Sequence, residues 1–531
     1  MASLGRSSAL IAAGTLASRV TGLLRTIVLV AVIGSFGSPA ADAFATANQL
    51  PNNIYTVIST GILTAVIVPQ IVRVSTRSDG GREFISKLFT LGTVVLLAAT
   101  AIAMILAPVI VWLYVPRFSA EQQALAVAFA YWCLPQVLFY GLYALVGETL
   151  NAKGVFGPFA WAPVVNNVVS IAGFGVIIAL TGGDVTEVTE WTPGMIALLA
   201  GTATLGIVAQ ALVLFAFWRG TGLHLRPDFR WRGVGLGDIG RLAGWTFLMM
   251  LVGQVAGWIQ SRVVSEASGD AGIAVMQNAW LVFMLPYSVI VMAIGTPYFT
   301  QLSAHAHEGR DDAVRADVGR AIRTLGLFVV IATAALAAAA VPATRVFTQR
   351  AGDAVASAPV LLAFLVCLVP LAVQFVVQRT FYAYGDTRTP FLFTLFQGAL
   401  VIGFAYLADA ILPVELLTAG VALGQALAST LQVVLATWLL RRRIGSFELG
   451  RSLWALGRFA LAAVPAALAG WGVYLWTGGA DGWMTASMLQ GALGTVLVGA
   501  VAVAIYVALL AAFRAPELSV AGGMLRRLLR R

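Results

Sequence analysis

The sequence predicts an all-α polytopic membrane protein of about fourteen transmembrane helices, built as two six-helix lobes in a parallel repeat plus two C-terminal helices. Three observations carry that expectation: too little charge to face water, apolar runs of spanning length throughout, and a one-sided distribution of arginine. Of 531 residues, 60% are apolar and only 11% are charged, whereas a soluble domain keeps about 25% charged. A bilayer must therefore supply most of the solvent.

A helix needs about 20 mostly apolar residues to cross the hydrocarbon core. The first seven runs that qualify lie near 8–33, 43–72, 84–115, 122–149, 157–181, 193–218 and 238–267. The second seven lie near 271–302, 318–347, 354–382, 389–412, 416–441, 454–477 and 487–513. The first run is too long for a signal-peptide core and contains Arg19 and Arg25, so it reads as an uncleaved helix. The alternating ten-residue segments of a membrane barrel are absent from the sequence.

The loops support this count. With the N-terminus in the cytoplasm, 26 of the 33 Lys and Arg residues fall in cytoplasmic segments, and only Arg117, Arg345 and Arg350 fall in exterior ones. That asymmetry is the positive-inside pattern, and it puts both termini in the cytoplasm. It also accounts for the net charge of +10 without nucleic acid as a partner. The basic tail, Arg526 to Arg531, fits contact with anionic membrane lipids.

An internal repeat divides the chain. Thr149-Leu-Asn-Ala-Lys-Gly154 with Pro158-Phe159 is echoed by Thr380-Phe-Tyr-Ala-Tyr-Gly385 with Pro390-Phe391. Cys133 and Pro135 are echoed by Cys367 and Pro370, and Leu50-Pro51 by Leu285-Pro286. The spacing is about 231–235 residues, room for six helices. Six is even, so both copies face the same way, an arrangement that transporters use to enclose a central site. The expected divisions are 1–235, 236–450 and 451–531, the last holding helices 13 and 14 and the tail.

Apart from the span-end residues already counted with the loops, four arginines lie inside the spans: Arg19, Arg25, Arg262 and Arg379. A guanidinium at the bilayer centre costs about 2.5–3.5 kcal/mol on insertion scales. Arg19 and Arg25 stand about 9 Å apart along the first helix, with no acidic residue in that span and Asp42 the nearest in sequence. A cationic cavity of this kind fits an anion, above all a phosphate or diphosphate that matches guanidinium forks. Arg262 is close to an outer helix end, where it snorkels or pairs with Glu266, and Arg379 is close to an inner end. The three histidines, His224, His305 and His307, read as loop residues with no third ligand, so no metal site is expected. Cys133 and Cys367 offer no disulfide framework. Gly233-Val-Gly-Leu-Gly237 precedes a membrane helix and makes no dinucleotide loop.

Several segments resemble the MurJ/MviN family. They are Ser18-Arg-Val-Thr-Gly22 with Arg25, Ala41-Asp-Ala-Phe44, Leu50-Pro-Asn52, Gly61 with Pro69, Leu150-Asn-Ala-Lys-Gly154 with Ala162-Pro163, and Phe381-Tyr-Ala-Tyr-Gly-Asp-Thr-Arg-Thr-Pro390. The resemblance runs from Ser7 to about Arg443. It implies a flippase of lipid II, the undecaprenyl-diphosphate-linked peptidoglycan precursor, in the multidrug/oligosaccharidyl-lipid/polysaccharide superfamily. It also implies a plasma-membrane transporter rather than an enzyme, with Arg19, Arg25 and Asp42 at the substrate cavity and Arg262 and Arg379 as accessory groups. No cofactor is implied; the driving force would be the membrane potential or an ion gradient. Cell-wall synthesis or division proteins are expected as partners. The chain departs from the family at Tyr55 and Thr56, where arginines are usual, at Thr60, where an acidic residue is usual, and at Trp280 or Leu281, where the eighth helix usually carries an arginine. Phe391 to Leu407 lacks the carboxylate with which some members bind sodium, so sodium is not expected.

Three other readings compete: a flippase for another polyprenyl-linked glycan, a cation-coupled drug exporter of the same superfamily, and a polytopic glycosyltransferase. The last would need a substantial acidic exterior loop, and the longest here spans only about residues 181–193. The topology makes a direct prediction. Single cysteines replacing Lys153 or Arg388 should react with an impermeant thiol reagent only from the cytoplasmic side, and those replacing Arg117 or Arg350 only from outside. The reverse pattern at either pair would break the count.

Overall fold

The computed structural model describes residues 2–59, 82–218, 226–230 and 236–518. Every long element is a helix. They are α1 (Ala2–Ile33), α2 (Pro39–Ile58), α3 (Arg82–Ile105), α4 (Ala107–Tyr114), α5 (Ala120–Cys133), α6 (Gln136–Ala152), α7 (Gly157–Thr181), α8 (Pro193–Phe215) and α9 (Leu236–Val264). They continue with α10 (Ile273–Pro286), α11 (Met292–His307), α12 (Asp311–Ala338), α13 (Ala340–Arg345), α14 (Ala351–Leu365) and α15 (Leu368–Ala383). The last four are α16 (Arg388–Ile411), α17 (Val414–Ile444), α18 (Leu449–Trp476) and α19 (Met488–Ala512). Among the described residues, 13 helical stretches are long and apolar enough to cross a membrane. The expected span 43–72 enters as α2, and its remainder, with Gly61 and Pro69, lies outside the described residues. So do His224, most of the Gly233–Gly237 segment and the tail Arg526–Arg531.

Contacts group the chain into two units, 1–269 and 270–531. This boundary falls one helix later than the division at 235, because α9 bonds to the first unit. Gln254 Nε2 donates to the Asn53 carbonyl at 2.9 Å and Trp258 Nε1 to the Leu113 carbonyl at 2.8 Å.

The repeat is visible as matching helix breaks. The first unit's third span bends at Leu106 between α3 and α4, and the second unit's counterpart at Ala339 between α12 and α13. The fourth span breaks between α5 and α6, and its counterpart between α14 and α15. Each break has a proline in it or just beyond it: Pro135 in the break, and Pro108, Pro342 and Pro370 just beyond theirs. A proline lacks the N–H for the i−4 carbonyl and its ring clashes there, so the helix kinks. The turn after each fourth span is also shared. Gly154 takes φ +81° and Gly385 φ +70°, a left-handed conformation that glycine adopts without a Cβ penalty.

The same helix pairs pack within each unit. α2 meets α5 as α10 meets α14, α3 meets α6 as α12 meets α15, and α7 meets α8 as α16 meets α17. α18 and α19, which the repeat leaves over, pack on α12 and on each other. Around Phe459, Tyr506 and Leu327 they form a buried cluster, and the Tyr506 hydroxyl donates to the Leu327 carbonyl at 2.9 Å.

Small residues set the closest approaches, as expected where lipid offers no hydrophobic drive between helices. A Cβ on Gly206 of α8 would lie 2.4 Å from Asn166 Oδ1 of α7, and one on Gly424 of α17 would lie 2.6 Å from Phe404 Cβ of α16. Gly424→Leu should therefore lower thermal stability in detergent by about 1–3 kcal/mol, the range for overpacking. Gly403→Leu, at a position with nothing within 4 Å, should leave it unchanged. Equal melting of the two variants would contradict this packing.

Candidate functional site

α1 is anchored along α7. Asn167 Nδ2 donates to the Ser18 carbonyl at 3.1 Å and to Thr21 Oγ1 at 2.9 Å, while Trp161 Nε1 donates to the Leu10 carbonyl at 3.2 Å. Gly14 and Gly22 lie on this packed face, against Trp161 and Asn167. The rest of the helix is left to carry charge.

Arg19 is exposed, whereas Arg25 is half-buried. The Arg25 guanidinium lies within electrostatic reach of Tyr140 and Cys133. Tyr140 in turn pairs with Tyr55, ring centroids 5.7 Å apart. Tyr143 stacks on Phe159 at 4.8 Å and donates its hydroxyl to the Phe159 carbonyl at 2.9 Å. Behind this aromatic group, Gln136 Nε2 donates to Thr204 Oγ1 at 2.9 Å and to Asn48 Oδ1 at 3.4 Å. Arg25 thus faces α5 and α6, with the Tyr140 hydroxyl and the Cys133 thiol as electrostatic neighbours, and the half-polar wall of α2, α6 and α8 adjoins Tyr140.

Asp42 is buried in the first turn of α2. That helix start is well capped: Ser38 Oγ accepts from the Ala41 N–H at 3.0 Å and donates to the Ile33 carbonyl at 2.6 Å. A carboxylate is favoured there by the helix dipole.

Of the two readings of Arg262, snorkelling or a pair with Glu266, the pair is not formed. Glu266 is bound by Arg117 instead, because the short helical turn Ser265–Ala267 ends α9 and carries Glu266 off its face. Arg379 belongs to the second unit. Its guanidinium lies 5.0 Å from the Phe299 ring centroid and 5.2 Å from that of Phe375, a double cation–π contact. Tyr287 and Tyr382 are within its electrostatic reach. Tyr287 opens a π-helical stretch, Tyr287–Val291, between α10 and α11, and such bulges are frequent at functional sites. The place of the family's eighth-helix arginine is apolar here: Trp280 packs against Phe283 at 5.1 Å and Phe364 at 5.2 Å.

So the first unit holds Arg19, Arg25, Asp42 and Arg262, and the second holds Arg379. The aromatic wall of Tyr55, Tyr140 and Tyr143 escaped the sequence reading. Its only trace there was Tyr55 standing where a cation was expected.

Two other sequence assignments change. Arg345 is no loop residue. It is buried at the end of α13, with Nε donating to the Thr485 carbonyl at 2.6 Å and Nη2 to the Ala486 carbonyl at 3.3 Å. Those carbonyls precede α19, so Arg345 clasps the start of that helix. His305 and His307 lie in the last turn of α11 rather than a loop. His305 Nδ1 is 2.7 Å from Asp317 Oδ2, and Gln301 Nε2 donates to Asp317 Oδ1 at 3.2 Å. Among the described residues no group of three or more His, Cys, Asp or Glu could hold a metal ion.

This architecture has known counterparts. The family model for the lipid II flippase MurJ matches residues 30–494. The chain belongs to the lipid II flippase MurJ family. A probable lipid II flippase MurJ of a Synechocystis species is 25% identical over 537 residues, 98% of this chain and 97% of that protein. One from Rhizobium tropici is 27% identical, covering 79% of this chain and 78% of the relative. Among solved structures, a lipid II flippase MurJ in an inward closed conformation has a TM-score of 0.70 at 20% identity, covering 93% of this chain and 98% of that one. An inward-facing MATE-family multidrug transporter of the MOP superfamily has a TM-score of 0.66 at 19% identity, covering 81% of this chain and 95% of that one. The family places this chain among multi-pass membrane transporters, not enzymes.

Proposed function

We propose that this chain moves lipid II from the inner to the outer leaflet of the cell membrane by alternating access, with Arg19 and Arg25 binding the diphosphate. The observation that carries the reading is the pair of guanidiniums in the first membrane helix of a chain whose family is defined by lipid II flippases. An arginine fork holds a phosphate through two parallel charge-assisted bonds, and a hydrogen bond to a charged group contributes about 1.5–3 kcal/mol. The half-polar wall beside Arg25 would receive the headgroup next to the diphosphate, while the polyprenyl chain stays in lipid along α18 and α19.

No covalent chemistry is required. With both termini in the cytoplasm, outward movement of an anion is favoured by an inside-negative potential, at about 2.3 kcal/mol per charge per 100 mV. Asp42 restrains the cationic cavity, and Arg262 and Arg379 act as accessory groups in their own units. The basic tail contacts anionic lipid, and cell-wall enzymes that use the exported precursor are the natural partners.

The test is the accessibility of lipid II at the outer face of cells depleted of this protein. Externally accessible lipid II should fall while the inner pool grows. The wild-type gene should restore export, and an Arg19→Ala gene expressed at the same level should not. Unchanged lipid II export in cells with no second flippase would transfer the assignment to another polyprenyl-linked glycan, whose anchor presents the same diphosphate.

A further inference from the structure

The second unit contains a cavity of about 430 Å³ between α17 and α18, a different helix pair from the α18–α19 path proposed for the polyprenyl chain. α17 and α18 form its sides, and α15 forms part of its floor through Pro370 and Val373. The floor is recessed because the helix break before α15 interrupts what would otherwise be a continuous span. The lining is almost wholly apolar except at one end, where Arg441 closes it. On its rim, Val434 is 62% exposed and Leu453 58% exposed, so the cavity opens toward the lipid.

Arg441 differs from the basic residues around it. Arg443 is paired with Asp386, Arg323 with Glu448, and Arg451 lies 3.7 Å from Glu448. Arg442 stacks over the Trp438 ring at 3.7 Å. Arg441 has no ion-pair partner among the described residues. A trough that ends in an unneutralised guanidinium is complementary to an amphiphile with an apolar chain and an anionic head. Its length names the amphiphile. From Thr430 to Arg441 the lining follows α17 for about 16 Å, close to half of the roughly 30 Å hydrocarbon core. That is the reach of one acyl chain within one leaflet.

We infer that this cavity is a binding site for an anionic phospholipid, with one acyl chain between α17 and α18 and the phosphate on Arg441. Basic pockets between membrane helices hold acidic headgroups in this way. A lipid seated there would wedge α18 against α17 at a place where protein side chains leave the space unfilled.

The probes are phosphatidylglycerol and phosphatidylcholine, titrated onto the purified full chain and read by native mass spectrometry. The wild-type chain should retain one phosphatidylglycerol at this site and prefer it over phosphatidylcholine by about fivefold, the contribution of one basic residue at a membrane surface. Arg441→Gln should abolish the preference while leaving chain binding. Thr437→Trp, which fills the trough, should lose both lipids; Leu453→Trp serves if that variant does not fold. Full preference in Arg441→Gln, or undiminished binding in a folded filled variant, would overturn the proposal. Displacement of phosphatidylglycerol by equimolar undecaprenyl phosphate would also overturn it, because the trough would then belong to the transported lipid's chain.

Discussion

A guanidinium inside a bilayer has to be solvated by something, and the first unit is arranged around that requirement. Arg25 is half-buried in a helix that has no carboxylate of its own. Its electrostatic neighbours are a tyrosine and a thiol, which soften the field without cancelling the charge. Replacing Arg25 would relieve an insertion cost of a few kcal/mol, so stability does not explain its presence. The diphosphate proposed as its ligand would account for it. The anchoring of α1 along α7 through Asn167, Ser18 and Thr21 then serves a purpose: it fixes the helix rotation, and with it the direction of the charge.

The rest of the fold repeats one plan in each unit. In each unit prolines interrupt the third and fourth spans at matching places, and the same helix pairs pack in both. These breaks turn helices that would otherwise run straight through the bilayer, and in the second unit one of them opens the recess beneath α17. Glycines at the α7–α8 and α16–α17 crossings hold the backbones close. Arg345 shows that a buried arginine can also be purely structural. It is held by backbone carbonyls, those of Thr485 and Ala486 ahead of α19 and that of Thr348, whereas Arg25 faces side chains.

Much of this was legible in the sequence because a bilayer imposes long apolar runs and sorts arginines by side. The runs gave the span positions and the repeated motifs gave the repeat; that Cys133–Pro135 and Cys367–Pro370 sit at helix breaks, and Gly154 and Gly385 at left-handed turns, came from the fold. Side-chain partners were not legible. The sidedness count placed Arg345 in an exterior loop at the end of the run 318–347, because the sequence does not show its guanidinium turning back onto the carbonyls ahead of α19. Proximity along the chain offered Glu266 as one partner for Arg262, whereas the fold brings Arg117 to Glu266 from 149 residues away. The tyrosine wall near Arg25 is assembled from two helices, and nothing local in the sequence joins Tyr55 to Tyr140.

The central claim is that the arginines of α1 hold a diphosphate. It is tested most directly by measuring the affinity of the purified full chain for lipid II, wild type against Arg25→Gln, with melting temperature recorded to show that the variant is folded. Loss of charge-assisted bonds worth about 1.5–3 kcal/mol predicts affinity weakened by roughly 10- to 150-fold. A folded Arg25→Gln protein that binds lipid II as tightly as wild type would contradict the account.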